Sequence, residues 1–579
     1  MPRRSPGPCE LADLEPDEEF DLIVVGAGAA GLSAALFAHM RGARVALVEK
    51  TGLVGGTTSY TAGTLWVPGT RIAREAGGPS DDAAVAEQYL DAAVGDRSDR
   101  ELRRAFLDAG PEAIDTLATA PGMELRARPD HPDYMGEVPG AALGWRPLEA
   151  STLHGSTVPN LGLIRQQTPE FTVFGGLMLE HPEIAAFSEV ARAPFKPKNF
   201  KHVVHAGLVL ARHLLTRPFN PRPARMTMGN ALIGRLMIGL RDVPILVNTS
   251  VEQIHVHDGT VTGVTLVQGD VHRRLRVTKG LVAATGGFNR HPQRRARLMS
   301  GVPLEWSPMA PGNTGQLHDL IEGLGARYRA MPDTQGFWAP ISLVPRRDGS
   351  SGVYPHFAID RAKPGFMVVD QDGERYLNES VSYHRFGLAM QQRPGGRGMP
   401  SYLIADAKAA KRYGIGAVMP GGWRTTAMLR NGYLVRGETL EALAGKLGVV
   451  PERLVATVTR FNELADSGID TDFGRGTTPY ERKLGDPAWS PNPSLRSLEQ
   501  GPFFAIRLYP GDIGAASGFR TDATARVLGS DEAPIGGLYA IGNDMASVMG
   551  DTYPGPGITL GPAIVFAYVA VRDALGARS

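Results

Sequence analysis

The feature that most constrains the fold is the stretch DLIVVGAGAAGLSAALFAHMRGARVALVEK at residues 21–50. A β-branched run at 22–25 is followed by glycines 26, 28 and 31 in the spacing G-x-G-x-x-G, and Glu49 comes eighteen positions after the last glycine. This order predicts a strand, a tight turn and a helix whose N-terminus holds a pyrophosphate, with the acid on a ribose hydroxyl. The sequence therefore predicts a Rossmann-like α/β domain that binds a dinucleotide.

The next residues indicate which dinucleotide. The stretch GLVGGTTSYTAGTLWVPG at 52–69 adds small and hydroxyl residues immediately after the acid. It resembles the continuation found in flavoproteins, so we expect the cofactor to be FAD. We expect FAD to be held by Gly26, Gly28, Ala29, Ala30, Gly31, Glu49, Lys50, Gly55, Gly56, Thr57, Thr58, Ala62, Gly63, Val251, Gly286, Gly542, Asn543, Gly557, Thr559 and Leu560.

The FAD-binding segments lie at both ends of the 579-residue chain. GLVAATGGFNRHP at 280–292 and GLYAIGND at 537–544 resemble strands that return to the nucleotide-binding sheet. We therefore expect a discontinuous FAD-binding domain with an inserted α+β catalytic domain. The predicted boundaries are a flexible segment at 1–18, the FAD-binding domain at 19–299, the catalytic domain at 300–509 and the returning FAD-binding segment at 510–579.

The composition excludes several other classes of protein. The formal net charge is +1 and no basic stripe is interleaved with aromatic residues, so we expect no nucleic-acid partner. Cys9 is the only cysteine, which excludes a disulfide framework and a thiolate metal site. No metal-ligand spacing, signal peptide or membrane span is evident in the sequence. We expect a cytoplasmic protein.

A local basic excess is the exception to the neutral average. Residues 192–225 contain eight Lys or Arg side chains and no Asp or Glu, with the apolar run HVVHAGLVLARHLL at the centre. This predicts a helical basic insertion at about 160–225. One interpretation is a surface helix with a solvated basic face. The other is peripheral contact with an anionic membrane, where an apolar substrate would be found.

The run GDTYPGPGITLGPA at 550–563 is the most specific element. Pro554 and Pro556 predict a rigid turn ahead of a buried helix. With the preceding stretches, the run resembles the 3-ketosteroid Δ1-dehydrogenases of the fumarate reductase and succinate dehydrogenase flavoprotein superfamily, over nearly the whole chain after about Glu19. The resemblance implies that the Tyr553 hydroxyl and the Gly557 N–H polarise a substrate ketone.

A second family element is GERYLNESVSYHRF at 373–386, in which the resemblance implies that Tyr383 removes the α-proton. A phenolate suits a moderately acidic proton if its neighbours lower the pKa well below about 10. His384 is a rival base. Because neighbouring side chains of an extended segment point in opposite directions, we expect one of the two residues to face away.

A third element is HPDYMGEVPG at 131–140. The family has two consecutive tyrosines here, one of which supports the base by hydrogen bonding. This chain has Tyr134 followed by Met135. The resemblance therefore gives Tyr134 as the supporting residue. It leaves open that the family's supporting hydroxyl belongs to the second tyrosine, where this chain has Met135.

The reaction implied by the resemblance is FAD-dependent α,β-desaturation of an apolar cyclic ketone, with hydride transfer to flavin N5 and an external electron acceptor, a quinone or a carrier protein. A 3-ketosteroid is the first expectation for the substrate. The alternatives are a small ring, such as cyclohexanone or a 4-oxocyclohexanecarboxylate, and a reductase of enone or fumarate type.

Overall fold

The computed structural model describes residues 8–180, 183–184, 187, 190, 200–216, 224–357 and 360–576. In chain order, the strands are β1 (Glu18–Val25), β2 (Val45–Val48), β3 (Thr64–Trp66), β4 (Leu125–Ala127), β5 (Pro147–Ala150), β6 (Leu153–His154), β7 (Arg225–Met226), β8 (Ile245–Leu246), β9 (Ser250–His257), β10 (Thr260–Gln268), β11 (Val271–Ala283), β12 (Tyr328–Arg329), β13 (Gly336–Pro345), β14 (Ser351–Pro355), β15 (Phe366–Val369), β16 (Ser401–Ala405), β17 (Val435–Gly437), β18 (Phe503–Ala515), β19 (Gly518–Phe519), β20 (Arg526–Leu528) and β21 (Pro534–Ala540).

The described α-helices are α1 (Ala29–Met40), α2 (Arg71–Glu75), α3 (Ala83–Val94), α4 (Arg100–Ala118), α5 (Phe200–Thr216), α6 (Met228–Gly239), α7 (Pro292–Leu298), α8 (Gln316–Glu322), α9 (Tyr383–Gln392), α10 (Ala407–Tyr413), α11 (Thr425–Arg430), α12 (Leu440–Leu447), α13 (Pro451–Ser467), α14 (Pro479–Leu484) and α15 (Leu560–Leu575).

The larger sheet has the order β20-β21-β10-β11-β1-β2-β8, with β9 paired to β10. Strand β1 runs parallel to β2 and β11, and β11 runs parallel to β21. The carboxyl ends of these four strands therefore lie at the same edge of the sheet, where a doubly wound fold binds its ligand. Strand β1, helix α1 and helix α15 are almost entirely buried, which explains their apolar and small residues.

A second sheet, of order β14-β13-β18-β16-β15 with β17 paired to β18, is antiparallel and lies in the predicted catalytic domain. The two sheets confirm the predicted fold class, an α/β FAD-binding fold with an inserted α+β part. Strand β18 runs from 503 to 515 and crosses the predicted boundary at 509. The domain boundaries stay a prediction.

The N-terminal segment requires a correction. The sequence placed residues 1–18 in a flexible segment, but Leu11 and Leu14 are buried, and the Leu11 amide donates to the Gln268 side chain at 2.8 Å. These two leucines give the segment an apolar anchor on the larger sheet. The packed chain therefore includes residues from Pro8 onward, and residues 1–7 lie outside the described part.

Candidate active site

A long cleft opens at the carboxyl edge of the larger sheet. Fifteen of the twenty residues predicted to hold FAD line it: Gly26, Gly28, Ala29, Ala30, Glu49, Lys50, Gly56, Thr57, Thr58, Val251, Gly286, Gly542, Asn543, Thr559 and Leu560. They come from four separate parts of the sequence, which the fold brings to one edge. The cleft thus has the position and the lining that the nucleotide motif predicts.

The glycines of the first turn test whether this cleft suits a dinucleotide. Gly26 has φ +108°, and a Cβ there would lie 2.2 Å from the Ala284 oxygen. A Cβ at Gly31 would lie 1.8 Å from the Gly26 oxygen, so this glycine permits close packing of helix on strand. Gly28 faces the cleft, and a Cβ added there would lie 3.9 Å from the nearest atom, the Thr58 hydroxyl oxygen. A side chain at Gly28 would fill the space, so the cleft fits a pyrophosphate close to the backbone.

Glu49 is fixed at the end of β2. One carboxylate oxygen accepts from the Ala27 amide at 3.0 Å, and the other accepts from the Thr51 amide and hydroxyl at 2.8 and 2.7 Å. The side chain is buried yet lines the cleft. The carboxylate is therefore held in place, as a ligand for a ribose hydroxyl requires.

The other five predicted residues, Gly31, Gly55, Ala62, Gly63 and Gly557, are not among the described residues that line the cleft. Gly55 and Gly63 serve close packing, because a Cβ would lie 2.1 Å from the Ser59 hydroxyl and 2.6 Å from the Gly229 amide, respectively. Sequence reasoning missed the segment around Asn313, which lines the opposite side of the cleft. Its composition, MAPGNTGQ, is typical of a loop that offers backbone groups.

Four tyrosines meet beside the cleft. The ring centroids of Tyr383 and Tyr553 are 5.0 Å apart, and those of Tyr134 and Tyr383 are 5.4 Å apart. The hydroxyls of Tyr134 and Tyr383 form a 3.3 Å hydrogen bond. Tyr480 packs 4.5 Å from Tyr134. All four side chains are buried. The structure therefore brings together the three tyrosines singled out in the sequence and adds a fourth.

The Tyr553 turn is held from several sides. The Pro554 carbonyl accepts hydrogen bonds from the Tyr89 hydroxyl and from the Tyr134 amide at 2.8 Å. Gly557 has φ +93°, and a Cβ there would lie 2.3 Å from the Thr64 oxygen. Among the described residues, the Gly557 N–H has no hydrogen-bond partner. The turn is rigid, and it presents one hydroxyl and one free N–H.

The segment around Tyr383 differs from the expectation of an extended chain. Tyr383 and His384 begin helix α9, capped by the Ser382 hydroxyl, and both side chains are buried. His384 accepts from the Trp338 amide at 3.2 Å and donates to the Asp551 carbonyl at 3.0 Å. Burial lowers the pKa of His384 to about 4. His384 is thus neutral with both ring nitrogens occupied, which makes it a poor rival base.

The surroundings of Tyr383 do not by themselves lower the pKa of its phenol, the condition that a phenolate base requires. Burial raises the pKa of Tyr383 well above its usual value. Burial has the same effect on Tyr134. The physical reason is that three uncharged phenols share a dry site, in which a phenolate loses its hydration.

A cation near the cluster was missed in the sequence. The Arg361 guanidinium is fully buried, and it donates to four backbone carbonyls, those of His356 (2.8 Å), Phe357 (2.9 Å), Glu379 and Val381. The Arg361 charge partly offsets the burial that raises the pKa of Tyr480 to about 12. Tyr480 is therefore the phenol of the cluster that lies closest to positive charge. No local motif marks either residue.

The comparisons with known proteins agree with this geometry. A family model described as "FAD binding domain" matches residues 21–560. The 3-oxosteroid 1-dehydrogenase of Mycolicibacterium smegmatis is 35% identical, over 96% of this chain and 97% of its own length. The chain belongs to the 3-oxosteroid 1-dehydrogenase family of flavoproteins.

Two further proteins similar to this chain bear on its substrate and its fold. The 4-oxocyclohex-2-ene-1-carboxylate 5-dehydrogenase of Sinomonas cyclohexanicum is 34% identical over 96% of this chain and 93% of its own length. The crystal structure of the 3-ketosteroid Δ1-dehydrogenase of Sterolibacterium denitrificans, in complex with 1,4-androstadiene-3,17-dione, has a TM-score of 0.87 and 31% identity. It covers 96% of this chain and 99% of its own.

Family membership makes the protein an FAD-dependent CH–CH dehydrogenase, and FAD is its cofactor. Within the part of the chain that the structure describes, no cluster of His, Cys, Asp and Glu could hold a metal ion. In the same part, no helix is both long and apolar enough to span a bilayer.

Proposed function

We propose that the protein desaturates a cyclic ketone next to its carbonyl, by 1,2-dehydrogenation of a 3-ketosteroid. The observation that carries the proposal is the convergence of Tyr383 and Tyr553 beside the cofactor cleft. The rings of Tyr383 and Tyr553 lie 5.0 Å apart, and the turn that carries Tyr553 continues to Thr559, which lines the cleft. A base, a carbonyl donor and the cofactor site are therefore contiguous.

The carbonyl oxygen of the substrate accepts hydrogen bonds from the Tyr553 hydroxyl and the Gly557 N–H. Enolisation places negative charge on this oxygen, and donors fixed in a rigid turn stabilise that charge without reorganising. The free Gly557 N–H and the anchored Pro554 carbonyl support this role.

Tyr383 takes the proton from the α-carbon onto its hydroxyl oxygen, and the electron pair of the broken C–H bond moves toward the carbonyl. To act as base, Tyr383 must first be a phenolate, which burial disfavours. Hydrogen bonding from Tyr134 stabilises the phenolate, and the Arg361 charge reaches the cluster through Tyr480. Bound FAD supplies the acceptor for the hydride that leaves the neighbouring carbon.

The residues that would hold FAD are those of the cleft, with Gly28 and Thr58 at the pyrophosphate and Glu49 at the ribose. Thr58 already accepts a hydrogen bond from the Ala29 amide at 3.2 Å, which orients its hydroxyl at the helix N-terminus. An external electron acceptor, a quinone or a carrier protein, would complete the reaction.

A steroid-sized ketone is favoured over a small ring by a cavity that lies two aromatic rings away from the base. Phe357 packs 4.9 Å from Tyr383 and 6.4 Å from Phe171. Phe171 lines a cavity of about 570 Å³ with largely apolar walls, a size typical of sites for ligands of several rings. A small cyclic ketone of the 4-oxocyclohexanecarboxylate type is the second candidate, supported by the Sinomonas relative.

Peripheral membrane contact through residues 192–225 is a further part of the proposal. Helix α5 exposes Phe200, Val204, Leu208 and Leu215, which are spaced by about one or two helical turns. Such an exposed apolar stripe is typical of a helix that lies in a bilayer surface. Five of the eight basic residues of this segment lie outside the described part, and Lys201, Arg212 and Arg225 lie within it.

The experiment that tests the function is anaerobic bleaching of the flavin absorbance by a panel of ketones: 4-androstene-3,17-dione, cyclohexanone and 4-oxocyclohexanecarboxylate. Bleaching by the steroid supports the proposal. If only a small cyclic ketone bleaches the flavin, the mechanism stands and the substrate is the second candidate, a ketone of the 4-oxocyclohexanecarboxylate type. If no saturated ketone bleaches the flavin, desaturation is contradicted, and reoxidation of chemically reduced enzyme by an enone would identify a reductase.

A further inference from the structure

The 570 Å³ cavity has aromatic walls and a group of arginine side chains. The proposed desaturation of an uncharged ketone gives these arginines no role. Its inner wall is formed by Phe171 and Tyr354, whose rings stack at 5.7 Å, and Phe171 leads through Phe357 to Tyr383. The other side is bordered by Phe174 and Trp423, whose ring centroids lie 5.5 Å apart, and both rings are partly exposed. The cavity is therefore linked to Tyr383 by two packed rings on one side and reaches the surface on the other.

The solvent side of this cavity carries positive charge. The charged side chains among its described lining residues are Arg346, Arg347 and Arg424 and one carboxylate, Glu170. Glu170 is already neutralised by Arg346, with two hydrogen bonds of 2.8 Å. Neither Arg347 nor Arg424 forms an ion pair with a described residue. Two uncompensated guanidinium groups thus face an otherwise apolar cavity.

The backbone at Arg424 is a second, independent observation. Arg424 has φ +73°, in the left-handed region where an arginine is strained and glycine is not. Gly421 and Gly422, just before it, already adopt positive φ. Strain of this kind persists at sites where the side chain is used. The strained residue also lines a second, neighbouring cavity next to Trp423, so its side chain borders both cavities.

We propose that the substrate is a polycyclic ketone whose far end carries a carboxylate, and that Arg424 and Arg347 bind this carboxylate while the ketone lies at Tyr553. The inference rests on the proposed function, since it assigns the two ends of one substrate. The rings occupy the apolar wall, which explains why the charge is confined to the mouth. Guanidinium groups suit this role because they offer paired donors to a carboxylate.

The test compares 3-oxo-4-androstene-17β-carboxylate with its methyl ester on the purified holoenzyme, using a dye as electron acceptor. The two compounds share the reacting ring and differ in the distal charge. We expect kcat/KM for the acid to be about fivefold higher, through KM, as for a partly exposed ion pair. We also expect this preference to fall as salt is raised, because exposed charges are screened.

The variants R424Q and R347Q should remove the preference for the acid and leave the ester unchanged. R424G is a second variant, because it removes the charge and relieves the positive φ, so it folds even if R424Q does not. The matched control is R430Q, which changes an exposed arginine of the same helix that does not line the cavity. Retained flavin absorbance reports folding of each variant.

The outcomes separate this inference from the proposed function. If 4-androstene-3,17-dione and the ester are oxidised but the acid is not preferred, the function stands and the carboxylate site is wrong. The same conclusion follows if R424Q and R347Q slow acid and ester equally. If none of the three steroids is oxidised, the proposed function fails and the inference with it.

Discussion

The hydroxyls of Tyr134 and Tyr383 are joined by a 3.3 Å hydrogen bond, although 249 residues separate them in the chain. Tyr134 also donates its amide to Pro554, the residue after Tyr553. One residue therefore contacts both the proposed base and the turn that carries the proposed carbonyl donor. This arrangement fixes the relative position of two groups that must act on adjacent atoms of one ring.

Replacing Tyr383 with Phe should lower kcat by at least about a hundredfold, because the variant lacks the oxygen that accepts the α-proton. Flavin content should be unchanged, since Tyr383 is not among the residues that line the cofactor cleft. Stopped-flow bleaching under anaerobic conditions measures the step directly. Tyr568→Phe, on the half-exposed face of α15, is the control and should react at the wild-type rate. Normal turnover by Y383F would disprove the base assignment.

Removing the Tyr134 hydroxyl should move the pH dependence of the reaction. The base form of Tyr383 is the phenolate, so activity rises with pH, and burial places that rise in the alkaline range. Y134F deletes the hydrogen bond that stabilises the phenolate, and the rise should move to still higher pH. Profiles of kcat/KM against pH decide the point. A variant whose rate drops equally at every pH would show that Tyr134 acts by packing alone.

Tyr480 provides a separate test of the Arg361 effect. Y480F should also displace the profile to higher pH, by less than Y134F, because Tyr480 contacts the base only through Tyr134. A Tyr480→Phe change keeps the ring whose centroid lies 4.5 Å from that of Tyr134, so no cavity forms in the core. An unchanged profile would show that the Arg361 charge does not reach Tyr383.

Replacing Tyr553 with Phe should cost on the order of a hundredfold in kcat, the usual effect of removing one donor to a developing oxyanion. The turn should survive, because Tyr89 and Tyr134 hold Pro554 independently of the Tyr553 hydroxyl. The same bleaching experiment measures the effect, with flavin content as the folding control. A rate within twofold of wild type would show that the Tyr553 hydroxyl is not a donor to the substrate oxygen and that the turn has only a structural role.

The sequence predicted the parts of the site that depend on local chain geometry. Gly26 and Gly28 are recognisable because a tight turn and a close backbone approach need glycine at fixed spacing. The cap at Ser382, before helix α9, was also readable in principle, as serine favours that position. The helix begins at Tyr383 because this cap satisfies the Arg385 amide, so the expectation of an extended segment is wrong.

Other features of the site arise only in the folded chain. Tyr480 and Arg361 come near Tyr134 through long-range packing, and nothing in their local sequence marks them. The pKa of Tyr383 is likewise set by burial, which depends on residues from several distant elements. The tyrosine roles were predicted through resemblance to a family, because a single tyrosine in a sequence is usually a packing residue.

Membrane contact can be tested on helix α5. The double change Leu208→Ser and Leu215→Ser removes two side chains that are 66% and 73% exposed, so it should not unfold the protein. We expect the variant to lose co-sedimentation with anionic vesicles that the wild type binds, because apolar burial is removed. Leu143→Ser, which alters a leucine that is 70% exposed elsewhere, is the control. Failure of the wild type to bind the vesicles would end the membrane proposal.

His384 should make stability depend on pH in the mildly acidic range. Its pKa is about 4 in the folded protein and about 6.5 when unfolded, so below pH 6.5 the unfolded chain binds the additional proton. The free energy of unfolding therefore falls as the pH is lowered from 6.5 to 4, by up to about 3 kcal/mol from this group.

Urea unfolding of wild type and H384Q at several pH values measures how steeply the free energy of unfolding of each protein changes with pH. H384Q should be less stable at pH 7 and have a flatter profile, while His257→Gln, at an exposed site, should retain the wild-type slope. Equal slopes for H384Q and wild type would show that His384 is not held neutral by burial.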